Sequence, residues 1–72
     1  MQWNLEGLRV WGMYLDMFPV SGEVVLSRVC YGGSVQHTVV LEQPLTVFGR
    51  LRERGERVLL DHKNVTRVKD AV

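Results

Sequence analysis

The first candidates for chemistry are four consecutive polar residues near the carboxyl end of the sequence: Asp61, His62, Lys63 and Asn64. They separate two short apolar runs, so they are predicted to form a tight turn of helical type between two strands, a place where binding residues are common. Imidazole, ammonium and amide groups in one turn can hydrogen-bond a phosphate or the edge of a base. The alternative is that Asp61 only caps the turn.

Arg28 and His37 form a second candidate pair, because a glycine turn is predicted to bring them face to face. Gly32 and Gly33 lie between β-branched runs and predict a tight hairpin turn with positive φ at both glycines. Counting outward from them places Arg28 opposite His37 on the core face, where the pair could bind an anion or a base. The alternative, favoured by the cost of burying an unpaired charge, is that both tips reach water at the end of the sheet. The same register pairs Cys30 with Val35, Leu26 with Val39 and Val24 with Leu41.

Enzymatic, metal and cofactor sites are not expected. Cys30 is the single cysteine, so an internal disulfide is impossible, and the predicted register places it inside the sheet without a base to activate it. Cys30, His37 and His62 do not show the spacing of metal ligands. The glycine pair opens no helix and is not a phosphate-binding loop. We predict that the protein is not an enzyme and binds neither a metal nor a cofactor.

Positive charge is concentrated in the last third of the sequence. Residues 1–49 hold two basic and four acidic side chains, whereas residues 50–69 hold seven basic and three acidic ones. A local positive patch favours an anionic partner, of which phosphate backbones are the commonest. The alternative is a solvated strand face with interspersed glutamates.

Alternating apolar residues predict the strands that position these side chains. They lie at 8–15, on both sides of the glycine turn within 22–42, and at 45–52, 57–61 and 65–68. Residues 1–7 offer at most one short helical turn. Short antiparallel strands with little helix are predicted to close into a small five-stranded β-barrel, an all-β fold in a single domain spanning residues 1–72.

The chain is short for a stable monomer. A domain of this length buries only about 60% of the surface of its unfolded chain. Its hydrophobic content of 46% is high for that size, so some apolar surface is expected to contact a partner. Trp11, Met13, Met17 and Phe18 are predicted to form core or subunit contacts, with a stacking platform for bases as the alternative.

Two features of the sequence concern localisation. It contains no apolar run of the roughly 20 residues that a membrane-spanning helix needs. Its first residues lack the basic and apolar regions of a signal peptide. We therefore expect a cytoplasmic protein without a membrane partner.

The order of these features resembles the Sm-like proteins, the family of the bacterial RNA chaperone and of the eukaryotic spliceosomal ring subunits. The resemblance covers most of the chain, from the first strand at 8–15 through Gly22, which opens a long second strand, to the closing run 58–68. In that run a strand, a turn containing His62 and Lys63, and a final hydrophobic-x-x-hydrophobic strand follow one another, as in the second motif of the family.

This resemblance implies a homo-oligomeric ring of five to seven subunits, joined between their last two strands. It also implies that RNA is bound by the loop after the second strand and by the loop before the last strand. The glycine turn lacks the aspartate and asparagine of the family loop, and a peptide-binding barrel of the Src-homology type remains an alternative fold. The residues that the resemblance and the turn chemistry assign to RNA are Tyr31, His62, Lys63, Asn64, Arg28 and His37.

Two functions therefore compete. The first is single-stranded RNA binding by an Sm-like ring, in which Tyr31 stacks on a base while His62 and Lys63 contact base or phosphate. The second is a structural or protein-interaction barrel, in which exposed aromatic and methionine side chains form the partner surface. RNA binding should weaken steeply as salt rises, whereas an apolar protein contact should not.

Overall fold

The computed structural model describes residues 3–69 as a nearly all-β chain. The predicted helical turn over residues 1–7 lies partly outside this range, and residues 3–7 contain no helix. None of the described residues belongs to a helix long and apolar enough to cross a membrane. The 3₁₀ turn His62–Asn64 (the 62–64 turn) joins the last two strands. The strands are β1 (Arg9–Tyr14), β2 (Phe18–Val29), β3 (Val35–Leu41), β4 (Leu45–Val47), β5 (Arg50–Arg52), β6 (Arg57–Asp61) and β7 (Val65–Lys69).

Five of the strands form one antiparallel sheet in the order β6-β3-β2-β1-β7. The five-stranded antiparallel sheet is as predicted, but the prediction of a closed barrel is wrong, because β6 and β7 are the two edges and do not pair with each other. The chain crosses from one edge to the other through the 62–64 turn, and β7 then pairs with β1. Each edge strand therefore presents backbone N–H and C=O groups with no strand beside them in the described part of the chain.

The long strand β2 contains a β-bulge at Val25. Val24 and Leu26 pair with consecutive residues of β3, so Val25 is an extra residue on β2. Val24 and Ser27 are both buried, while the two residues between them are exposed. The bulge thus shifts the inward-facing positions of β2 by one residue along its second half.

The glycine turn is one residue longer than predicted. Gly32 and Gly33 have φ angles of 92° and 88°, which confirms the predicted positive φ. The Gly33 N–H donates to the Cys30 carbonyl at 3.0 Å, and the Cys30 N–H donates to the Ser34 carbonyl at 2.6 Å. Three residues therefore separate Cys30 from Ser34, where the prediction had two between Tyr31 and Ser34, and β2 moves one step relative to β3.

This step makes the predicted hairpin register wrong. Ser27 rather than Arg28 pairs with His37, and Arg28 pairs with Gln36. Arg28 is consequently exposed and not on the core face. Two other predicted pairs shift by the same single step, since Val35 lies opposite Val29 and Leu26 opposite Thr38. Val24 lies opposite Val39 rather than Leu41, two steps away, because the bulge adds a second shift.

The hydrophobic core lies on one face of the sheet, where alternate residues of β1, β3 and β6 are buried. The period of two in a strand is what allows one face to be apolar and the other mixed. His37 and Ser27 are the polar members of this buried set in the described residues. The apolar members are Leu5, Val10, Val20, Val24, Val39, Leu41, Val58 and Leu60.

The prediction of one strand over 45–52 is wrong, because the chain reverses there. Phe48 and Gly49 have φ angles of 50° and 78°, and β4 and β5 pair on either side of them as a two-stranded ribbon. Positive φ at both central residues is the pattern of a primed hairpin turn. Phe48 packs edge-on against Phe18, with ring centroids 5.3 Å apart.

The N-terminal segment lies beside the second half of β2, beyond the part of the strand that pairs with β1. The Gly7 N–H donates to the Val24 carbonyl at 2.8 Å, and the Val24 N–H donates to the Leu8 carbonyl at 2.9 Å. Further along, the Ser27 N–H donates to the Glu6 carboxylate at 2.9 Å. The second half of β2 therefore has β3 on one side and residues 5–8 on the other.

Gly12 brings β1 close to the 62–64 turn. A Cβ atom at this position would lie 2.6 Å from the Asn64 carbonyl oxygen and 2.8 Å from a methyl carbon of Leu60. Contacts that short require the backbone or the neighbour to move. A glycine inside the predicted strand over 8–15 indicates either a bend or a close backbone approach. The close approach is confirmed at Gly12, and it fixes the distance between β1 and the turn.

Candidate functional site

The 62–64 turn stands at the same end of the sheet as the glycine turn. The register of β3 and β6 pairs Gln36 with Asp61, so the start of β3 and the end of β6 lie side by side. Asp61 is extended and makes no side-chain cap to the turn that follows it, which argues against the capping alternative. Lys63 is exposed, while His62 and Asn64 are half-buried.

A buried chain of hydrogen bonds links this turn to the N-terminal segment. The Leu5 N–H donates to Ser27 Oγ at 2.9 Å, and Ser27 Oγ lies 2.8 Å from His37 Nδ1. His37 Nε2 in turn lies 2.8 Å from His62 Nδ1, with the two rings 5.0 Å apart. The chain therefore runs from buried backbone through two side chains to the half-buried His62.

Burial lowers the pKa of His37, and the positive charge that His62 carries when protonated lowers it further. His37 is completely buried in the core face of β3. A neutral imidazole can both donate and accept, which is what a position inside a hydrogen-bonded chain requires. His37 is thus a buried support for His62 and has no surface with which to contact RNA directly.

Tyr31 and Arg28 do not join this chain. Tyr31 has a relative exposure of 105%, so its ring projects into solvent from the glycine turn. Arg28 is exposed on β2 beside Gln36. Of the six residues predicted to contact RNA, the structure joins His37 to His62, places Lys63 and Asn64 in the same turn, and leaves Tyr31 and Arg28 as separate exposed groups.

A second set of side chains connects the glycine turn to Asp61. Cys30 is half-buried, and its thiol donates to Gln36 Oε1 at 3.5 Å, so the prediction that it lies inside opposite Val35 is wrong. The Gln36 amide donates to the Asp61 carboxylate at 3.4 Å. Beside them lies a cleft of about 370 Å³, lined by Met13, Tyr14, Leu15, Asp16, Gln36, Leu59, Leu60, Asp61 and Asn64.

The basic side chains of residues 50–69 are distributed over several elements of the fold. Arg50 and Arg52 lie on β5, which belongs to the ribbon and not to the five-stranded sheet. Arg67 lies on β7 with its guanidinium carbon 4.9 Å from the centre of the Trp11 ring. Lys63 is the basic residue of this segment that lies in the 62–64 turn.

Trp11 and its predicted companions lie outside the buried core cluster of the described residues. Trp11 is half-buried, and the guanidinium carbon of Arg9 lies 4.8 Å from its ring centre, at a distance typical of cation–π contacts. Arg9 also donates to Glu42 at 2.6 Å. This bond and a second one from Ser21 lower the pKa of Glu42. Met17 is exposed, and Phe18 packs against the ribbon.

Sequence reasoning missed Ser27, Gln36 and the N-terminal contacts. The predicted pairing of Arg28 with His37 places Ser27 on the outer face, because it is counted from a glycine turn one residue too short. A serine and a histidine at comparable distances from a hairpin turn are a weak signal of such a pair, and it becomes readable only once the turn length is known.

Comparison with known proteins adds no assignment, since no family model, no curated protein and no solved structure matches the chain. Residues 3–69 contain no group of three or more His, Cys, Asp or Glu side chains arranged to hold a metal ion. The geometry is therefore the basis for a functional assignment.

Proposed function

We propose that the chain is a subunit of an Sm-like homo-oligomeric ring that binds single-stranded RNA at the 62–64 turn. The observation that carries the proposal is the position of this turn between the two unpaired edges of the sheet. If β6 of one subunit pairs with β7 of the next, every turn lies next to a subunit junction. The turns then form a repeated set of His62 and Lys63 donors along one strand of RNA.

Edge pairing is supported by what the edges expose. An unpaired strand edge offers a row of backbone donors and acceptors and is a template for another strand. β6 and β7 are different surfaces, so their pairing is head-to-tail and gives a ring when the rotation between subunits closes. Leu59, on β6, has a relative exposure of 58%, and such an apolar group is better covered than solvated.

RNA binding is supported by the chemistry at the turn end of the sheet. Lys63 is an exposed donor for phosphate, Tyr31 presents both ring faces to solvent, and His62 is held by a buried partner. Stacking on an aromatic ring and contacts from basic side chains are the two interactions that single-stranded RNA uses most. The cleft beside the turn adds room for a base.

A protein-interaction module is the second candidate. It is favoured by the exposed apolar side chains of the ribbon, where Phe48 and Leu51 have relative exposures of 76% and 56%. These residues belong to the ribbon and not to the 62–64 turn, so a protein contact there and RNA binding at the turn can be tested by separate substitutions.

The assembly can be tested by sedimentation at micromolar concentration. We expect the wild type to sediment as a closed oligomer of several subunits, because pairing of β6 with β7 removes both edges. Leu59→Glu should shift the protein toward smaller species with an unchanged β-sheet circular dichroism spectrum. Leu51→Glu is the matched control, since Leu51 is about equally exposed but lies on the ribbon, and it should leave the oligomer intact. A monomeric wild type would contradict the ring.

RNA binding can be tested with a short labelled oligoribonucleotide and fluorescence anisotropy at several salt concentrations. Lys63→Ala should weaken binding of all sequences about equally and reduce the slope of log K against log salt by roughly 0.7 to 1, as loss of one phosphate contact does. Tyr31→Ala should cost about 1–3 kcal/mol with little change in slope, because a stacking contact carries no charge.

Lys69→Ala is the control for charge, since Lys69 is exposed on β7 and outside the turn. It should leave the affinity close to that of the wild type. Binding by the wild type no tighter than about 100 μM at low salt, the weak end of non-specific association, would refute RNA as the ligand.

A further inference from the structure

The proton positions in the buried chain follow from counting donors and acceptors. Ser27 Oγ has two hydrogen-bond neighbours among residues 3–69, the Leu5 N–H and His37 Nδ1. The Leu5 N–H is a donor and cannot accept the hydroxyl hydrogen. A buried hydroxyl hydrogen needs an acceptor, so Ser27 donates to His37 Nδ1.

The direction of hydrogen-bond donation then continues from Ser27 through His37 to His62 at the surface. Because His37 Nδ1 accepts, a neutral His37 carries its hydrogen on Nε2 and donates it to His62 Nδ1. Because His62 Nδ1 accepts, a neutral His62 carries its own hydrogen on Nε2. The reverse order would leave the Ser27 hydroxyl without an acceptor among these neighbours.

We infer that Ser27 is a positioning residue that acts through His37 to hold His62 in the tautomer with its hydrogen on Nε2, so that the 62–64 turn presents an N–H donor to its ligand. No buried side-chain nitrogen or oxygen of the described residues lacks a hydrogen-bond partner. His62 Nε2 has no partner among residues 3–69, so it is the ring nitrogen that reaches solvent.

The ligand group that this donor selects is a hydrogen-bond acceptor. Lys63, next in the turn, can also only donate. The turn therefore favours phosphate oxygens and base carbonyls over exocyclic amino groups. This step depends on the proposed RNA binding, whereas the tautomer itself does not.

The charged groups around this hydrogen-bonded chain make their hydrogen bonds to other groups than the two imidazoles. The Glu6 carboxylate accepts the Ser27 N–H near the Leu5 end of the hydrogen-bonded chain. The Asp61 carboxylate accepts a hydrogen bond from the Gln36 amide. Lys63 is exposed at the surface end. No carboxylate of the described residues bonds directly to either imidazole.

The test is a ¹H–¹⁵N spectrum of the full chain labelled with ¹⁵N-histidine at pH 8, where histidines of ordinary pKa are neutral. Protonated and bare ring nitrogens resonate in separate regions, so the tautomer of each ring is read directly. We expect His37 and His62 both to carry hydrogen on Nε2. A wild-type His62 with hydrogen on Nδ1 and a bare Nε2 would overturn the inference without any reference to RNA.

Ser27→Ala should release the constraint, so that the form of His62 with hydrogen on Nδ1 becomes detectable. Thr46→Ala, which removes an exposed hydroxyl on β4, should leave the spectrum of both rings unchanged. A folded Ser27→Ala protein with an unaltered His62 tautomer would remove Ser27 from the role. If this variant does not fold, the wild-type spectrum alone tests the direction of the chain, because a His62 with hydrogen on Nδ1 cannot accept from His37.

Adding oligouridylate and, separately, an abasic ribose-phosphate oligomer tests the ligand. A shift of the His62 Nε2 signal with both probes identifies a phosphate acceptor, and a shift with oligouridylate alone identifies a base carbonyl. Binding of oligouridylate that leaves this signal in place would overturn the donor role. Absence of binding by either probe would refute the proposed function and the ligand assignment together, while the tautomer would stand on its own measurement.

Discussion

Gly22→Ala is expected to cost about 3 kcal/mol or more and to leave the protein largely unfolded at physiological temperature. Gly22 is buried in β2 between β1 and β3. A Cβ atom there would overlap the carbonyl oxygen of Val40 and lie 2.9 Å from a methyl carbon of Val39. A backbone carbonyl in the sheet cannot turn aside as a flexible side chain can. Urea denaturation followed by circular dichroism measures the loss.

Gly7→Ala is the matched control for this substitution. A Cβ atom at Gly7 would meet nothing within 4 Å, although its φ of +84° is unfavourable for alanine. The expected cost is therefore only about 1–2 kcal/mol. Equal costs at the two glycines would show that β2 and β3 are not as close as the structure has them.

The stability of the protein is expected to fall as the pH is lowered below about 6.5, the ordinary pKa of histidine. Burial lowers the pKa of His37, so below that pH the unfolded chain binds more protons than the native protein. The contribution of neutral His37 is complete above about 6.5, declines as the pH falls, and is lost once the pH passes the lowered pKa. Urea denaturation at pH 8, 6.5 and 5, at one protein concentration, measures it.

His37→Leu is the control for this pH dependence. It should cost about 2–4 kcal/mol at pH 8, because the Ser27 hydroxyl and His62 Nδ1 lose their partner. The remaining stability should then change less between pH 8 and 5. The pKa of Glu42 is also lowered, but its contribution is lost only in more acidic solution, below the usual range of a carboxyl group. An unchanged pH dependence in His37→Leu would assign the effect to another group.

Much of the fold was predictable from local patterns. Apolar alternation located most strands, and the polar residues between β6 and β7 indicated a short helical turn. Gly32, Gly33 and Gly12 were correctly interpreted, because positive φ and close backbone approach are the two conditions that only glycine meets easily. These features depend on residues close together in the chain.

The rest depends on contacts that no short stretch of sequence records. The glycine turn is one residue longer than its two glycines suggest, so Arg28 was placed on the wrong face, and no glycine or proline marks the bulge at Val25. The reversal at Phe48 was hidden because the alternation on both sides of it is in phase. The sheet is open instead of closed because β7 pairs with β1 and not also with β6, and no local sequence pattern decides whether that last pairing forms.

Most residues of the candidate site were predictable from the sequence, but the contacts between them were not. The 62–64 turn and the core-face position of His37 follow from the strand pattern, but the favoured prediction that the His37 tip reaches water is wrong, because the ring is completely buried. The contact between the two histidines joins residues 25 positions apart in the sequence. Ser27 could be found only by knowing the length of the glycine turn, from which its pairing with His37 is counted. A single residue of error in that length exchanges a buried serine for an exposed arginine.

The bulge at Val25 divides β2 into two halves whose inward-facing residues follow different alternations. On the amino-terminal side of Val25 the inward positions are set by the apolar core, and on the other side they are set by the serine–histidine chain. Deleting this one exposed residue would leave Val24 and Ser27 facing the interior in one regular alternation, with their pairing to β3 unchanged. Loss of the bulged residue therefore changes nothing in the interior, whereas loss of a paired residue such as Glu23 puts the residues on its two sides out of phase.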